Sequence, residues 1–270
     1  MTYNFTRNAV EGTSLHFTRN TSDLPLDKLR CFWRLDGAGT TALDSIGTMN
    51  LRADGGGSSP TRVQYNSQFL SLSASRPDGV GNSTNFGAYN HDASYNTSPN
   101  PPAFLATGVT PFAFTGWARC SDRSTYYQSI LSQYQFTNVS DELDRVCMAR
   151  LVPGGTLAFI AWYDTSNYDR VVTTDTFTDD TWAFFAFGSD GTNYWVSLNG
   201  GTAVTTAISS PGFKSASTHP LKIGRDATNA AQAWGGEICD VAYWYNQGLF
   251  TAGQLADLYN SGNGNTLLRG

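Results

Sequence analysis

Short apolar runs that alternate with polar residues and end at turn signals are the feature of this sequence that most restricts its fold. The clearest example is WAFFAFGSDGTNYWVSL, residues 182–198, in which two runs of strand-forming residues flank a Ser-Asp-Gly-Thr turn. Glycine accepts the positive φ that such a tight turn requires, so the segment predicts a β-hairpin. Phe185 and Phe187 fall on one face of its first arm and Trp182 and Phe184 on the other, which predicts a strand covered on both faces.

The same alternation recurs along the chain and indicates an all-β fold, an antiparallel sandwich or barrel. A strand covered on both faces favours the antiparallel two-sheet β-sandwich. It predicts strands at residues 31–35, 68–74, 112–120, 129–134, 145–152, 156–163, 182–188, 193–199, 220–224 and 236–245.

One short helix is predicted near the C-terminus, in TAGQLADLYNSG. Thr251 and Gln254 have the spacing of a capping box, and Leu255 and Leu258 fall on one helical face before Gly262 ends the helix. We expect this helix to close one edge of the sandwich.

The chain is predicted to have an N-terminal arm, residues 1–30, followed by one sandwich domain, residues 31–270. The arm contains FTRN twice, but this duplication is too short to be a structural repeat. Residues 75–103 are rich in Gly, Asn, Ser and Pro, which predicts a long loop insertion. Loops of that length are usually functional or disordered.

Low charge limits the partners of this chain. Charged residues make up 14% of it, and the net charge is −5, so the positive surface that nucleic-acid binding requires is missing. Polar residues interrupt every apolar run before ~18 residues, which argues against membrane insertion. The first residues show no signal peptide, and we therefore expect a protein made in the cytoplasm.

The four cysteines lie far apart in the sequence, without a C-x-x-C pair. Each stands among strand-forming residues, where a reduced cysteine behaves as a small buried hydrophobic residue. The alternative is a disulfide between Cys31 and Cys239, in the first and last predicted strands.

Six segments occur in the order known from one family. CFWRLDGAGTTALDSIGTMNL and PFAFTGWARC are followed by DDTWAFFAFGSDGTNYWVSLNGG, PLKIGR, WGGEICDVAYW and LFTAGQLADLYNSGNG. Over roughly residues 31–265 the chain therefore resembles the laminin-G-like domains of the concanavalin A-like jelly-roll superfamily of lectins and glucanases. The resemblance places four tryptophans in the core: Trp33, Trp117, Trp182 and Trp244.

The resemblance implies two curved antiparallel sheets that mostly bind glycans or proteins, often with a calcium ion at one rim. Asp44, in ALDSIG, matches the loop acid that often helps to hold such an ion. Where the family commonly has an acid at the start of the last strand, this chain has Cys239, with Asp240 next to it. Calcium is thus the one cofactor suggested, with Asp44 the better candidate ligand and Asp240 the weaker. The alternative for both is an aspartate that caps backbone N–H groups.

The sequence argues against an enzyme. Related sandwiches that hydrolyse glycosides carry E-x-D-x-x-E on one strand; here ELDRVC has Glu142 and Asp144, but Cys147 replaces the second Glu. Glycoside hydrolysis needs a pair of carboxyl groups, and we interpret Glu142 and Asp144 as solvated loop acids. The three histidines stand apart from one another, and no G-x-S-x-G motif occurs.

Saccharide binding needs flat aromatic rings and polar partners for hydroxyl groups. Two segments offer them, AWYDTSNYDR and RSTYYQS. The alternative is that the strand aromatics, Trp162 above all, belong to the core, whereas the loop tyrosines are freer. The predicted carbohydrate-binding residues are Tyr126, Tyr127, Trp162, Tyr163, Tyr168 and Asp169.

Two functions are compatible with these observations, and both are non-catalytic. One is a lectin-like recognition module that binds glycans, either as part of a secreted or cell-surface protein or on a virion. The other is a structural protein of an assembly, such as a phage capsid-decoration or fibre protein, in which the N-terminal arm docks on a partner protein. The missing signal peptide, the arm and the weakly charged surface favour a virion or another extracellular assembly, where the chain could also form homo-oligomers.

Overall fold

The structure is a computed structural model. It describes residues 24–36, 41–47, 49–54, 71–73, 77, 83–85, 94–97, 110–124, 126–135, 144–164, 166–210, 221–225 and 232–263.

The described residues form two antiparallel sheets, as the alternation predicts. Strands are numbered along the chain. The first sheet contains β1 Leu29–Trp33, β4 Ser71–Ser73, β5 Ser83–Asn85, β7 Phe112–Cys120, β12 Trp182–Ser189, β13 Asn193–Leu198, β14 Val204–Ala207 and β16 Gly236–Tyr245. The second contains β2 Thr41–Ala42, β3 Leu51–Asp54, β6 Ser94–Thr97, β8 Gln128–Gln135, β9 Asp144–Leu151, β10 Thr156–Trp162, β11 Tyr168–Thr176 and β15 Leu221–Ile223. The helices are α1, Ala252–Tyr259, and the 3₁₀ turns Leu26–Lys28 and Asn260–Gly262.

Strand order in the first sheet is β14-β13-β12-β7-β16-β5-β4, with β1 also paired to β16. In the second it is β11-β10-β9-β8-β15-β6-β3-β2. β16 changes partner along its length, from β5 at residues 237–238 to β1 at residues 241–244. The change coincides with a bulge between Cys239 and Ala242, where Asp240 has a φ of 52°.

Aromatic rings from both sheets fill the space between them. Phe159 of the second sheet stacks on Phe187 of the first at 5.2 Å between centroids, and Phe114, on the strand next to β12, stacks on Phe187 at 5.5 Å. Each ring is almost completely buried, and burying such a side chain contributes about 2–3 kcal/mol. The sandwich is held together by this interior cluster.

The outer face of the first sheet is also covered, which explains why β12 is apolar on both faces. Leu255 and Leu258 of α1 pack there with Phe184 and Trp117, and Tyr259 stacks on Trp117 at 5.8 Å. The helix thus covers a face of the sandwich, and the prediction that it closes an edge is wrong. Its predicted capping box is present.

Ten of the observed strands coincide with the ten predicted ones. The structure adds six, because β5 and β6 lie within the predicted loop 75–103 and β2, β3, β11 and β14 lie between predicted strands. The predicted start of the sandwich at residue 31 is too late, since Leu24 and Leu29 already pack on the outer face of the first sheet. Residues 1–23 lie outside the described part of the chain.

All four cysteines are buried and unbridged. Cys31 pairs with Tyr243, four residues along β16 from Cys239. Cys31 also faces the interior cluster, whereas Cys239 belongs to the cluster on the outer face of the first sheet. The Cys31–Cys239 disulfide is therefore incompatible with this register.

Of the four tryptophans that the resemblance places in the core, Trp33, Trp117 and Trp244 are almost completely buried and Trp182 is partly buried. None of the helices in the described ranges is long and apolar enough to cross a membrane.

Candidate functional site

The outer face of the second sheet carries the exposed aromatic residues that the sequence singles out. β10 lies between β9 and β11, and its alternate residues point outward because their neighbours belong to the interior cluster. Across this outer face the register places Met148 beside Ile160 and Arg170, and Arg150 beside Ala158 and Val172.

One end of this face is aromatic. Trp162, the last residue of β10, pairs with Tyr168, the first residue of β11, and their ring centroids are 5.8 Å apart at an angle of 53°. Tyr168 is 51% exposed, whereas Trp162 is only 6% exposed. Tyr163 follows Trp162 and is half-buried. We call these three residues the aromatic end; within it Tyr168 offers a ring to solvent and Trp162 supports that ring.

The turn beside the aromatic end is held by its own aspartate. Asp164 accepts hydrogen bonds from the backbone N–H groups of Ser166 at 2.7 Å and Asn167 at 2.6 Å, and from the Asn167 side chain at 2.7 Å. This Asx turn fixes the strand connection. The Asp164 carboxylate therefore has a structural partner on each oxygen.

The β12–β13 hairpin repeats the same arrangement. Asp190 accepts from the backbone N–H groups of Thr192 and Asn193 and from the Asn193 side chain, and Gly191 takes the expected positive φ, 89°. Partial burial acts to raise the pKa of Asp190, but the hydrogen bonds from Asn193 and Thr192 outweigh it and lower that pKa. D-x-[S/T]-N is thus a local turn signal in this chain, and the hairpin belongs to the scaffold.

Asp169 does not face solvent with its neighbour Tyr168. Successive strand residues point to opposite faces, and the Asp169 side chain is buried. Its carboxylate accepts from the backbone N–H of Ser209 at 2.8 Å and from the Ser209 hydroxyl at 2.5 Å. Burial, followed by the charge of Asp169, raises the pKa of the buried Tyr194 hydroxyl. The prediction that Asp169 contacts a saccharide at the surface is therefore wrong. Its buried carboxylate instead ties the chain after β14 to β11.

Tyr126 and Tyr127 lie at the opposite end of the same face. They precede β8, whose first residue pairs with Leu151 at the far end of β9. The Arg150 guanidinium stacks over the Tyr127 ring at 4.1 Å from its centroid, and its Nη1 lies 3.3 Å from Oε1 of Gln232. Four strand residues separate the Arg150 position from that of Trp162, or roughly 13 Å. The predicted carbohydrate-binding residues therefore form two separate groups.

Two functional candidates were not recognised in the sequence, Arg150 and Arg170. Arg170 is exposed and points outward two residues after Tyr168. The alternation Y-D-R-V-V at residues 168–172 would have placed Tyr168 and Arg170 on one face of a strand. Because β11 is absent from the predicted strands, this shared face could not be derived.

Asp44 uses both carboxylate oxygens within the protein. Oδ1 accepts from the backbone N–H groups of Phe32 at 3.0 Å and Ile46 at 3.1 Å, and Oδ2 accepts from that of Met49 at 3.1 Å. Its own N–H donates to the Asn50 side chain at 2.9 Å. This is the backbone-capping role that is the alternative to metal binding.

Calcium does not fit this donor set. It takes about six to eight oxygen ligands, and the oxygens of Asp44 already face N–H groups. Asp240 is buried, and its backbone N–H donates to the Arg34 carbonyl at 3.2 Å. Within the described ranges no three His, Cys, Asp or Glu residues are grouped as metal ligands would be. Calcium binding stays a prediction.

The structure describes only one of the two acids considered for glycoside hydrolysis. Glu142 lies outside the described residues, and Asp144 is the first residue of β9, paired with Gln135.

The fold and these positions can be compared with known proteins. Residues 90–249, more than half of the chain, match the family described as the concanavalin A-like lectin/glucanases superfamily. The chain belongs to this family. Its two antiparallel sheets are the sandwich expected of a concanavalin A-like domain. No curated protein matches the chain in sequence.

Solved structures of the same sandwich include binding domains. Domain 4 of AbnA, a GH43 extracellular arabinanase from Geobacillus stearothermophilus, solved in complex with arabinotriose, has a TM-score of 0.62 at 14% identity, covering 86% of this chain and 98% of that one. The binding domain of Paraclostridial Mosquitocidal Protein 1 has a TM-score of 0.61 at 11% identity, covering 87% and 52%.

A third similar structure is the ligand-binding domain of botulinum neurotoxin serotype D in complex with N-acetylneuraminic acid. Its TM-score is 0.59 at 12% identity, covering 90% of this chain and 52% of that one. This chain thus spans about half the length of the toxin domains. At these identities the likeness shows the shared concanavalin A-like sandwich.

Proposed function

We propose that this concanavalin A-like domain is a non-catalytic carbohydrate-binding module whose binding site is the aromatic end of the second sheet. The observation that carries the proposal is the exposed ring of Tyr168, backed by Trp162 at 5.8 Å. Aromatic rings with one apolar face and one wet edge suit ligands that are themselves part apolar and part hydroxylated. A pyranose ring is such a ligand.

The similar structures support this class of ligand. Domain 4 of the arabinanase was solved with arabinotriose and the botulinum domain with N-acetylneuraminic acid. The binding domain of botulinum neurotoxin DC, about half of which this chain covers, was solved both with rat synaptotagmin II and with SialylT, so binding domains that contain such a sandwich occur in complexes with a protein as well as with SialylT. A protein partner is therefore the main alternative to a glycan.

The state of the acids supports binding rather than hydrolysis. A glycosidase needs two carboxyl groups about 5–10 Å apart at the sugar. The two aspartates next to the aromatic end, Asp164 and Asp169, are each engaged on both oxygens by hydrogen bonds within the protein. Neither is arranged as a catalytic acid for a saccharide on Tyr168.

The test is a glycan array followed by titration calorimetry with the saccharides that bind. Tyr168→Ala should weaken binding roughly fivefold, because about 1 kcal/mol of ring contact is lost, while Tyr168→Phe should retain most of the affinity. Tyr245→Ala is the matched control, since Tyr245 is also an exposed tyrosine but lies on β16 of the first sheet. Equal affinities of wild type and Tyr168→Ala would contradict this site. If binding is lost only in Tyr126→Ala, the binding site lies at the other end of the face.

The place of the module on a virion or another extracellular assembly is part of the same proposal. It rests on the sequence, namely the low charge and the N-terminal arm. Leu24 packs against the first sheet, so deletion of residues 1–23 leaves the described sandwich contacts intact. We expect the deleted protein to keep saccharide binding and to lose association with an assembly partner, measured by co-sedimentation.

A further inference from the structure

Tyr168 and Arg170 form a pair on the outer face of β11. They are two residues apart on one strand, so their Cα atoms are about 7 Å apart and both side chains point outward. A saccharide ring lying on Tyr168 has dimensions similar to this spacing. A substituent on its edge therefore comes within reach of the Arg170 side chain.

The Arg170 guanidinium has no partner among the described residues. Two other described arginines are held by carboxylates: Arg119 lies 2.8 Å from Glu237, and Arg34 lies 2.9 Å from Asp36. The contacts of Arg170 within the described residues involve its backbone: it pairs with Ile160 of β10, and its carbonyl accepts from the Thr206 hydroxyl at 3.4 Å. Its charge is therefore available to a ligand.

The strands around Arg170 leave this charge uncompensated. All of β10 and residues 146–151 of β9 contain no Asp or Glu, although the whole chain has a net charge of −5. The acids that flank these segments are Asp144, the first residue of β9, and Asp164, whose carboxylate is engaged by its own turn. Asp169 points to the interior and is bound by Ser209. A second cation, Arg150, lies on the same outer face across β10. The outward positions of β10 and β11 beside Tyr168 thus carry the Arg170 cation and no acid, which favours an anionic ligand.

We infer that the saccharide bound at the aromatic end is acidic, with its anionic group, a carboxylate or a sulfate ester, held by Arg170 while its ring contacts Tyr168. The inference rests on the proposed function and specifies the class of saccharide. A planar guanidinium can donate two parallel hydrogen bonds to such a group. Lysine at this position would supply the charge without that geometry.

The experiment compares saccharides with derivatives in which the acidic group is neutralised or removed. Sialyllactose and oligogalacturonate are titrated beside their methyl esters, and a sulfated disaccharide beside its desulfated form, each at low and high salt. We expect at least one acidic form to bind several-fold more tightly than its neutral counterpart, with the difference shrinking at high salt because the site is exposed. The pair that shows the difference identifies carboxylate or sulfate as the group recognised.

Substitutions assign the effect to Arg170. Arg170→Gln should weaken binding of the acidic form about three- to tenfold and leave the neutral form unchanged, and Arg170→Lys should restore only part of the loss. Arg30→Gln is the matched control, an exposed arginine on β1 of the first sheet. Circular dichroism and the melting temperature verify that each variant is folded.

The outcomes separate this inference from the proposed function. If acidic and neutral forms bind equally, and binding depends on Tyr168 but not on Arg170, the module binds neutral saccharides and the acidic assignment is wrong. If no saccharide of either kind binds at high protein concentration, both fail. A charge preference that survives Arg170→Gln also overturns the assignment, because the cation would then lie elsewhere.

Discussion

Replacing Asp44 should destabilise the sandwich whether or not calcium is present. Asp44 is 7% exposed and accepts three backbone hydrogen bonds at 3.0–3.1 Å. In Asp44→Ala the Phe32 N–H, which is buried, loses its acceptor at a cost of about 1–3 kcal/mol, and the two partly buried donors add about 0.5–1 kcal/mol each because water replaces part of their bonds. The expected loss in the free energy of unfolding is therefore about 3 kcal/mol.

Urea denaturation followed by tryptophan fluorescence measures this loss. For a chain of this size we take a slope of roughly 3 kcal/mol/M, so the midpoint should fall by about 1 M. Asp44→Asn should lose about half as much, since its amide keeps one acceptor oxygen but turns an NH₂ group toward a backbone N–H. Asp27→Ala is the control, because Asp27 is an exposed acid in a surface pair with Lys28 and should change stability by less than about 0.5 kcal/mol.

Every curve is recorded with calcium and again with a chelator, which separates the backbone cap from a metal ligand. A cap predicts the same loss under both conditions. If calcium stabilises the wild type but not Asp44→Ala, and the two proteins unfold together in chelator, then Asp44 acts through a bound ion and the capping argument is refuted. Equal stability of Asp44→Ala and wild type throughout would refute it as well.

Two further predictions concern buried and turn residues. A thiol reagent should label none of the four cysteines in the native protein, because all four are buried and burial raises the pKa of Cys120 and Cys147 to about 12. In denaturant without reductant it should label all four, because none is bridged. Two unreactive cysteines in denaturant would instead indicate a disulfide. Asp190→Ala should cost about 1 kcal/mol near pH 6. The folded pKa of Asp190 lies below its ordinary value of 3.8, so this contribution is complete above that value and is lost as the pH falls through the folded pKa. The gap in melting temperature between the two proteins should therefore narrow toward pH 2, and a constant gap would show that the charge of the Asp190 carboxylate is not the cause.

The sandwich could be predicted because its central strands are apolar on one or both faces. β7 and β12 are buried along almost their whole length, and their sequences contain the aromatic and small apolar residues that such burial requires. β11, YDRVVTTDT, was missed because most of its residues are polar. Only its inner face is buried, with Asp169, Val171 and Thr173 inward, which is a weaker signal than an apolar run.

The strands inside the predicted loop 75–103 could not be derived from propensity. β5 and β6 read Ser-Thr-Asn and Ser-Tyr-Asn-Thr, in which Ser and Asn separate the few branched or aromatic residues, so that no apolar run forms. They form through pairing with β16 and β4 in one sheet and with β15 and β3 in the other. Their structure is set by backbone partners far away in sequence, which a local pattern does not contain.

Which aromatic residues share a site depends on register rather than on composition. The sequence identified Tyr127 and Tyr168 alike, yet they lie at opposite ends of one face. Tyr127 precedes β8 at the Leu151 end of β9, whereas Tyr168 begins β11 at the Trp162 end of β10. The position of α1 has a similar origin. Its apolar stripe was visible, but whether that stripe would meet an edge or a face depended on which outer face the sheets leave to be covered.

The same alternation along β11 decides both the scaffold and the proposed site. It turns Asp169 inward, where the carboxylate fastens the chain after β14, and it turns Tyr168 and Arg170 outward on either side of that anchor. A shift of one residue in the pairing of β10 with β11 would exchange the two sets, burying a guanidinium and exposing the carboxylate. The shift would break both hydrogen bonds of Asp169 to Ser209, and the guanidinium turned inward would carry a large desolvation cost. Asp169 therefore acts on the proposed ligand face from inside the sandwich, by fixing the register that presents Tyr168 and Arg170 together.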